Sequence, residues 1–243
     1  MALSPQTIVS LLGFMLAVIC AAAAMAAGFG SRYDWWHFTT GFSILRWAVY
    51  GAVGAVVLSG VSIFISRHKR HGLGWSVTGL VIGLIITAVP ASWMYTAMRV
   101  PRIHDITTDT QDPPHFVAIL PLRRNAPNSA QYGGSIIAEQ QHKAYPDIKP
   151  LVVRKPPGEV FKHALDVARG LGWEVVSADS GQGRIEATDT TFWFGFTDDV
   201  VVRVKSVQQG TRVDVRSVSR VGLSDVGTNA ARIRRFLAAM KGE

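Results

Sequence analysis

His104, Asp105, Asp109 and Asp112 set one imidazole and three carboxylates within nine positions. Oxygen-rich clusters of this kind can hold a hard cation. The segment lacks the glycine and closing glutamate of a calcium loop, and aspartates at this spacing accept from nearby backbone N–H groups. Turn capping is the expected role, with metal binding as the competing one. A second cluster, Asp198, Asp199, Arg216, Arg220, Asp225, Asn229 and Arg232, combines guanidinium forks with carboxylates. Such groups lock together through bidentate bonds or grip an anionic ligand such as a headgroup. A structural polar network is expected, and an anion pocket is the alternative.

Other chemistries fail for lack of parts. Ser217, Ser219 and Ser224 with His104 supply the inventory of a hydrolase triad, but no serine lies in a GxSxG elbow. Trp35-Trp36-His37 suggests a haem or pigment site, yet a bis-histidine haem needs a second intramembrane histidine, and the sequence has none. The single cysteine, Cys20, excludes an intrachain disulfide and any multi-cysteine zinc module. No phosphate loop or dinucleotide fingerprint is present. No catalytic residue and no cofactor is therefore expected.

The elements that must position these residues divide sharply by composition. The 243 residues are 48% hydrophobic and 17% charged, against roughly 25% charged in ordinary soluble domains. The deficit sits in the first 98 residues, which hold five basic and one acidic side chain, against twenty and sixteen in the rest. Three uncharged stretches, 2–31, 47–66 and 72–98, each reach the ~20 residues needed to cross ~30 Å of hydrocarbon, and helices are expected at about 6–28, 46–66 and 73–97. Residues 1–98 thus read as a three-helix transmembrane anchor. The first stretch also fits a signal peptide through Ala24-Met25-Ala26. It lacks a basic n-region, however, so retention of the helix is expected.

Orientation follows from the loops. Arg67-His68-Lys69-Arg70-His71 outweighs the first loop, where Arg32 is balanced by Asp34. The positive-inside rule then places the amino terminus in the cytoplasm and the chain after the third helix on the other side of the membrane, which is the periplasm if the membrane is a bacterial inner membrane. Trp35, Trp36, Trp93 and Trp193 are expected at the interface, where such rings form an aromatic belt. Small residues mark two helix faces, Ala17, Ala21, Ala24 and Gly28 on the first, Gly79 and Gly83 on the third. Close backbone approach drives helix association in lipid. Packing of the three helices on one another is the expected use of these faces, and a face left available to another membrane protein is the alternative.

Beyond the anchor, residues 99–150 read as a proline-rich extended linker with one short helix at 135–144. Residues 151–243 read as an α+β domain. Val160, Phe161, Ala164, Leu165, Ala168 and Leu171 recur at helical spacing behind Pro156-Pro157. Alternation then predicts strands at 173–178, 184–190, 192–196, 200–207 and 211–219. Trp193 is expected opposite Phe192, Phe194 and Phe196 on the third of them. Ser224 is expected to cap a final helix with Ala230, Ile233, Leu237 and Met240 inward. The prediction is an antiparallel sheet of four or five strands with one face under two helices.

Several segments carry a family resemblance. They are Ile103-His104-Asp105-Ile106-Thr107-Thr108-Asp109 with Asp112-Pro113-Pro114, Phe192–Asp199, and Asp214–Arg220 running into Ser224-Asp225-Val226-Gly227 and Asn229-Ala230-Ala231-Arg232-Ile233. Tyr145-Pro146-Asp147-Ile148 is a shorter match. Over roughly residues 100–240 the chain resembles domain-of-unknown-function family 1499. The resemblance implies a domain of unassigned role and transfers no activity or site residue.

These readings converge on a non-catalytic accessory or assembly subunit of an inner-membrane complex. Its expected partners are membrane lipid and another integral membrane protein; nucleic acid is not one. The alternative is an envelope enzyme or carrier that uses the Arg/Asp cluster or the His104 segment on an amphiphilic or anionic ligand.

Overall fold

The computed structural model describes residues 4–66 and 72–242. The basic segment 67–71, on which the expected orientation rests, lies outside the described residues. The chain divides into two compact units: Met1–Tyr95 with Phe192–Gly195, and Thr96–Thr191 with Phe196–Glu243.

In the first unit, α1 (Pro5–Arg32), α2 (Phe38–Ser66) and α3 (Leu73–Ala97) are long and apolar enough to cross a membrane. Ser4 starts α1 by accepting from the Thr7 N–H, and Pro5 occupies the first turn. α2 begins well before the expected 46, since no proline or charge interrupts residues 38–45. Arg46 therefore lies inside this helix, ~12 Å from its start at ~1.5 Å per residue.

Small side chains set the packing. Ala17, Cys20, Ala24 and Ala27 of α1 and Ala48, Ala52 and Ala55 of α2 are buried. Ser62 Oγ is 2.8 Å from Ser10 Oγ and accepts from Ser76 Oγ at 3.0 Å, so one hydroxyl chain ties all three helices. Gly79 and Gly83 of α3 also face inward: a methyl group on Gly83 would lie 2.8 Å from Val56 Cγ2 and 3.1 Å from the Ala52 carbonyl. Ala17, Ala24 and Gly28 of α1 are buried as well, so both small-residue faces lie within this unit. Ala21 is half-buried.

The second unit is built on an antiparallel sheet in the order β1-β6-β5-β4-β3, with β2 also paired to β6. The strands are β1 (Asp105–Thr107), β2 (Leu151–Val153), β3 (Glu174–Asp179), β4 (Arg184–Thr190), β5 (Thr197–Val207) and β6 (Gly210–Ser219). α5 (Pro157–Gly170) and α6 (Thr228–Lys241) cover one face. There Val160, Phe161 and Ala164 meet Val200, Val202, Val213 and Val215, and Trp173 stacks on Phe236 at 5.2 Å. The predicted α+β class holds.

Three local expectations are corrected. Residues 99–150 are no linker: they supply β1, a 3-10 turn (Leu120–Arg123) and α4 (Ser135–Ala144) to the second unit. Proline there shapes a covering layer, because Phe116 and Ile119 pack on Val201 and Val218 across the face opposite the helices. Both sheet faces are thus covered. Residues 191–196 form a loop and no strand: Thr191 N–H donates to the Phe196 carbonyl, and Gly195 takes φ +70°, which disfavours any side chain. Ser224 does not cap α6. Asp225 does, accepting from the Gly227 and Asn229 N–H groups at 2.8 and 2.7 Å.

Candidate functional site

Strand alternation splits the predicted Arg/Asp cluster in two. Asp198 and Asp199 are neighbours on β5, so their side chains leave opposite faces. On the helix-covered face Asp198 stands directly across from Asp189. Two carboxylates so placed repel one another. Arg232 of α6 resolves the conflict, donating Nε to Asp189 and Nη2 to Asp198, both at 2.7 Å, with its side chain 1% exposed. Those carboxylates hold the guanidinium above its ordinary value against the pull of desolvation. Arg232 also donates to Ser217 Oγ and Asn229 Oδ1, while Asn229 Nδ2 donates to Ser219 Oγ and the His104 carbonyl. Asp225 completes this side. Burial pushes its carboxyl up, outweighing the two cap N–H donors.

On the opposite face Asp199 is gripped by Arg123 and Arg220. Arg220 donates Nε and Nη2 to it at 3.0 and 2.8 Å, and Arg123 adds its Nη1. Arg216 and Asp105 form a separate fork, Nε to Oδ1 at 2.9 Å and Nη2 to Oδ2 at 2.8 Å. The Arg216 guanidinium lies 5.3 Å from the Phe116 ring centroid and 5.5 Å from that of Tyr132. It also donates to the Pro114 and Ala130 carbonyls. Burial and the Asp105 charge push the Tyr132 phenol up to about 12, with Arg216 opposing.

A third assembly, at the hairpin end, absorbs the proposed metal residues. Asp214 accepts from Arg203 and Arg212, and Arg203 reaches Asp109 at 3.0 Å and Asp112 at 2.9 Å. Asp109 also accepts from the Gln111 and Asp112 N–H groups, the turn-capping geometry expected for it. Desolvation raises its carboxyl, but those N–H donors with Arg212 and Arg203 hold it below the ordinary carboxylate range. His104, Asp105, Asp109 and Asp112 do not converge: Asp105 belongs to Arg216, and the other two aspartates to this assembly. Among the described residues no group of three His, Cys, Asp or Glu side chains is placed to hold a metal ion.

Several residues in these assemblies escaped notice in the sequence. Glu186, fully buried, accepts from the N–H groups of Val117, Ala118 and Ile119 at 2.9–3.1 Å and seats the covering layer. Gln141 acts as an extra strand edge for β1, donating to the Thr107 carbonyl at 2.7 Å and accepting from the Thr107 N–H at 2.9 Å. Arg123 and Asp189 were likewise missed. The facing Asp189 and Asp198 were a readable signal for a buried cation. A cleft of about 590 Å³ opens beside Tyr132, lined by Thr110, Pro113, Ser135 and His142.

In the first unit the interfacial aromatics are placed as follows. Trp35 is 69% exposed, Trp36 donates Nε1 to the Ala27 carbonyl at 3.3 Å, and Trp93 meets Trp193 at 5.5 Å. The Trp193 ring lies directly against Gly28, leaving no room there for a side chain.

Three long apolar helices followed by an α+β domain pinned by internal ion pairs define a chain of two parts, a hydrophobic unit and a polar one. A family model described as a protein of unknown function, DUF1499, matches residues 105–240. That is more than half of the chain, which therefore belongs to this family. No curated protein matches it.

Proposed function

We propose that this chain is a non-catalytic accessory or assembly subunit of a bacterial inner-membrane complex. Its amino terminus lies in the cytoplasm, and its α+β domain stands in the periplasm and binds a protein or lipid partner at the membrane surface. One observation carries the reading: the buried arginines and carboxylates of the α+β domain engage one another. Arg216, Arg232 and Asp199, at 1%, 1% and 0% side-chain exposure, meet charged partners within the domain. A guanidinium fork saturated by its own carboxylates fixes strands and helices in register. Orientation rests on the excess of positive charge at 67–71.

The test is gentle extraction from the native membrane followed by native electrophoresis. A particle much larger than the 26.4 kDa chain and its detergent is expected, and a lone chain overturns the reading. Alkaline phosphatase fused after Glu243 should be active, and an inactive fusion reverses the orientation. The competing reading, an envelope enzyme or carrier for an amphiphilic or anionic ligand, is favoured by the cleft beside Tyr132. Turnover of a lipid or peptidoglycan fragment by the purified chain, lost in His142→Ala without loss of stability, would establish it.

A further inference from the structure

The loop from Arg220 to Gly227 presents apolar side chains to solvent while being tightly held. Leu223 is 78% exposed and Val226 36%. A leucine at a mobile tip needs no explanation, but this loop is built. The Gly222 carbonyl accepts from Asn128 Nδ2 at 2.9 Å, and the Asp225 N–H donates to the Ile103 carbonyl at 3.2 Å. Ser224 Oγ donates to the Pro101 carbonyl at 3.4 Å and accepts from the Val226 N–H at 3.2 Å. Val226 has φ +53°, a conformation that a β-branched residue adopts only when its surroundings impose it. The loop thus combines strained backbone at Val226 with an outward Leu223.

Chain length sets where this loop can be. Pro101, its hydrogen-bond partner, is four residues beyond Ala97, the end of α3. At no more than ~3.6 Å per residue, Pro101 lies within ~14 Å of that end whatever path the chain takes. If α3 spans the bilayer, its end is at headgroup level, where Trp93 and Tyr95 also fit. The rim around the loop carries exposed Arg102 and Arg124, whereas Arg220 is committed to Asp199 and Asp225 is buried in the α6 cap.

We propose that this rim is a membrane-contacting surface, with Leu223 entering the headgroup layer and Arg102 and Arg124 facing anionic phospholipid. Apolar tips ringed by arginine suit that boundary, since the guanidinium meets phosphate while the leucine leaves water. The inference rests on the reading that the three helices span a membrane.

The full chain carrying Cys20→Ala and Leu223→Cys is labelled with an environment-sensitive fluorophore and assembled into nanodiscs of phosphatidylcholine with phosphatidylglycerol. Gln209→Cys, in the β5–β6 turn at the far end of a ten-residue strand, serves as the aqueous reference, about 30 Å away at ~3.3 Å per residue. Leu122→Cys, on the neighbouring 3-10 turn and 54% exposed, repeats the measurement should Leu223→Cys misfold. Expected at 223 are a blue-shifted emission and loss of most of the intensity to headgroup-level spin-labelled lipid, with neither effect at 209. Arg102→Gln with Arg124→Gln should return the signal towards the aqueous value. Labels at 223 and 122 as wet as the one at 209 overturn the proposal. So does a label that is wet in nanodiscs but shielded in native membranes, because a protein then covers the rim. Failure of the chain to enter nanodiscs at all overturns the spanning reading instead, which keeps the two distinguishable.

Discussion

Arg216 and Asp105 close a two-pronged ion pair between β6 and β1, with side-chain exposures of 1% and 7%. The pair joins residues 111 positions apart, and the same guanidinium, lying over the Phe116 and Tyr132 rings, holds the covering layer on the sheet. Asp105, Pro114, Phe116, Ala130 and Tyr132 all meet this one side chain.

Removing one member of a buried pair is costly, because the other charge remains without water or counter-ion. Asp105→Ala should destabilise the domain by about 3–5 kcal/mol. The double variant Asp105→Leu with Arg216→Met should recover part of that loss, since it removes both charges. Hydrogen exchange of the β1 and β6 amides in the detergent-solubilised chain measures both.

Glu186→Gln tests the seat of the covering layer. The amide turns one acceptor into a donor aimed at backbone N–H groups and removes the ion partner of Arg184, 3.0 Å away. A loss of about 1.5–3 kcal/mol is expected, the range for hydrogen bonds to a charged group. Amides 117–123 should exchange faster while the β5–β6 hairpin keeps its protection. Uniform acceleration across the sheet would show that the layer and the sheet unfold together.

The acid limb of stability has two opposed contributors. Asp109 is depressed below its ordinary value of 3.8, so its stabilisation is present above that value and is lost as pH falls through the folded one. Asp225 is raised above 3.8; its contribution is full below that value and is lost as pH rises through the folded one. Asp109→Asn should therefore flatten the fall in thermal midpoint on acidification, and Asp225→Asn should steepen it. Midpoints followed from neutrality into the acid range decide the signs.

Two glycines of the helical unit predict opposite outcomes. Gly83→Leu forces a side chain against Val56 and the Ala52 carbonyl, and overpacking of that kind costs about 1–3 kcal/mol. Gly60 has nothing within 4 Å of an added methyl group, so Gly60→Ala should gain up to about 1 kcal/mol of helix propensity. Thermal unfolding in detergent, followed by helical circular dichroism, should separate the two.

Periodic apolar patterns were legible and long-range polar pairs were not. The stripe Ala230, Ile233 and Met240 predicted α6 and its buried face, though Phe236, fully buried, went unread beside Leu237. Alternation found β3 to β6. It also made a strand of residues 192–196, where Gly195 was the contrary signal. β1 and β2, three residues each, are too short to show a period and exist because β6 offers an edge. Asp198, Asp199, Arg216 and Arg232 were recognisable as a network, but which arginine meets which carboxylate depends on the face each side chain leaves. The partners Arg123 and Asp105 lie in a stretch whose prolines read as linker.

β6 pairs with β5 along one edge and with both β1 and β2 along the other. It is also the last strand to be synthesised. Until Ser219 has emerged, β1 and β2 have no partner, and the carboxylates of β5 await Arg220 and Arg232. The domain therefore cannot close from its amino-terminal side while translation proceeds. The three helices, by contrast, are complete some 120 residues earlier. They can therefore pack on one another while the α+β domain is still an open chain.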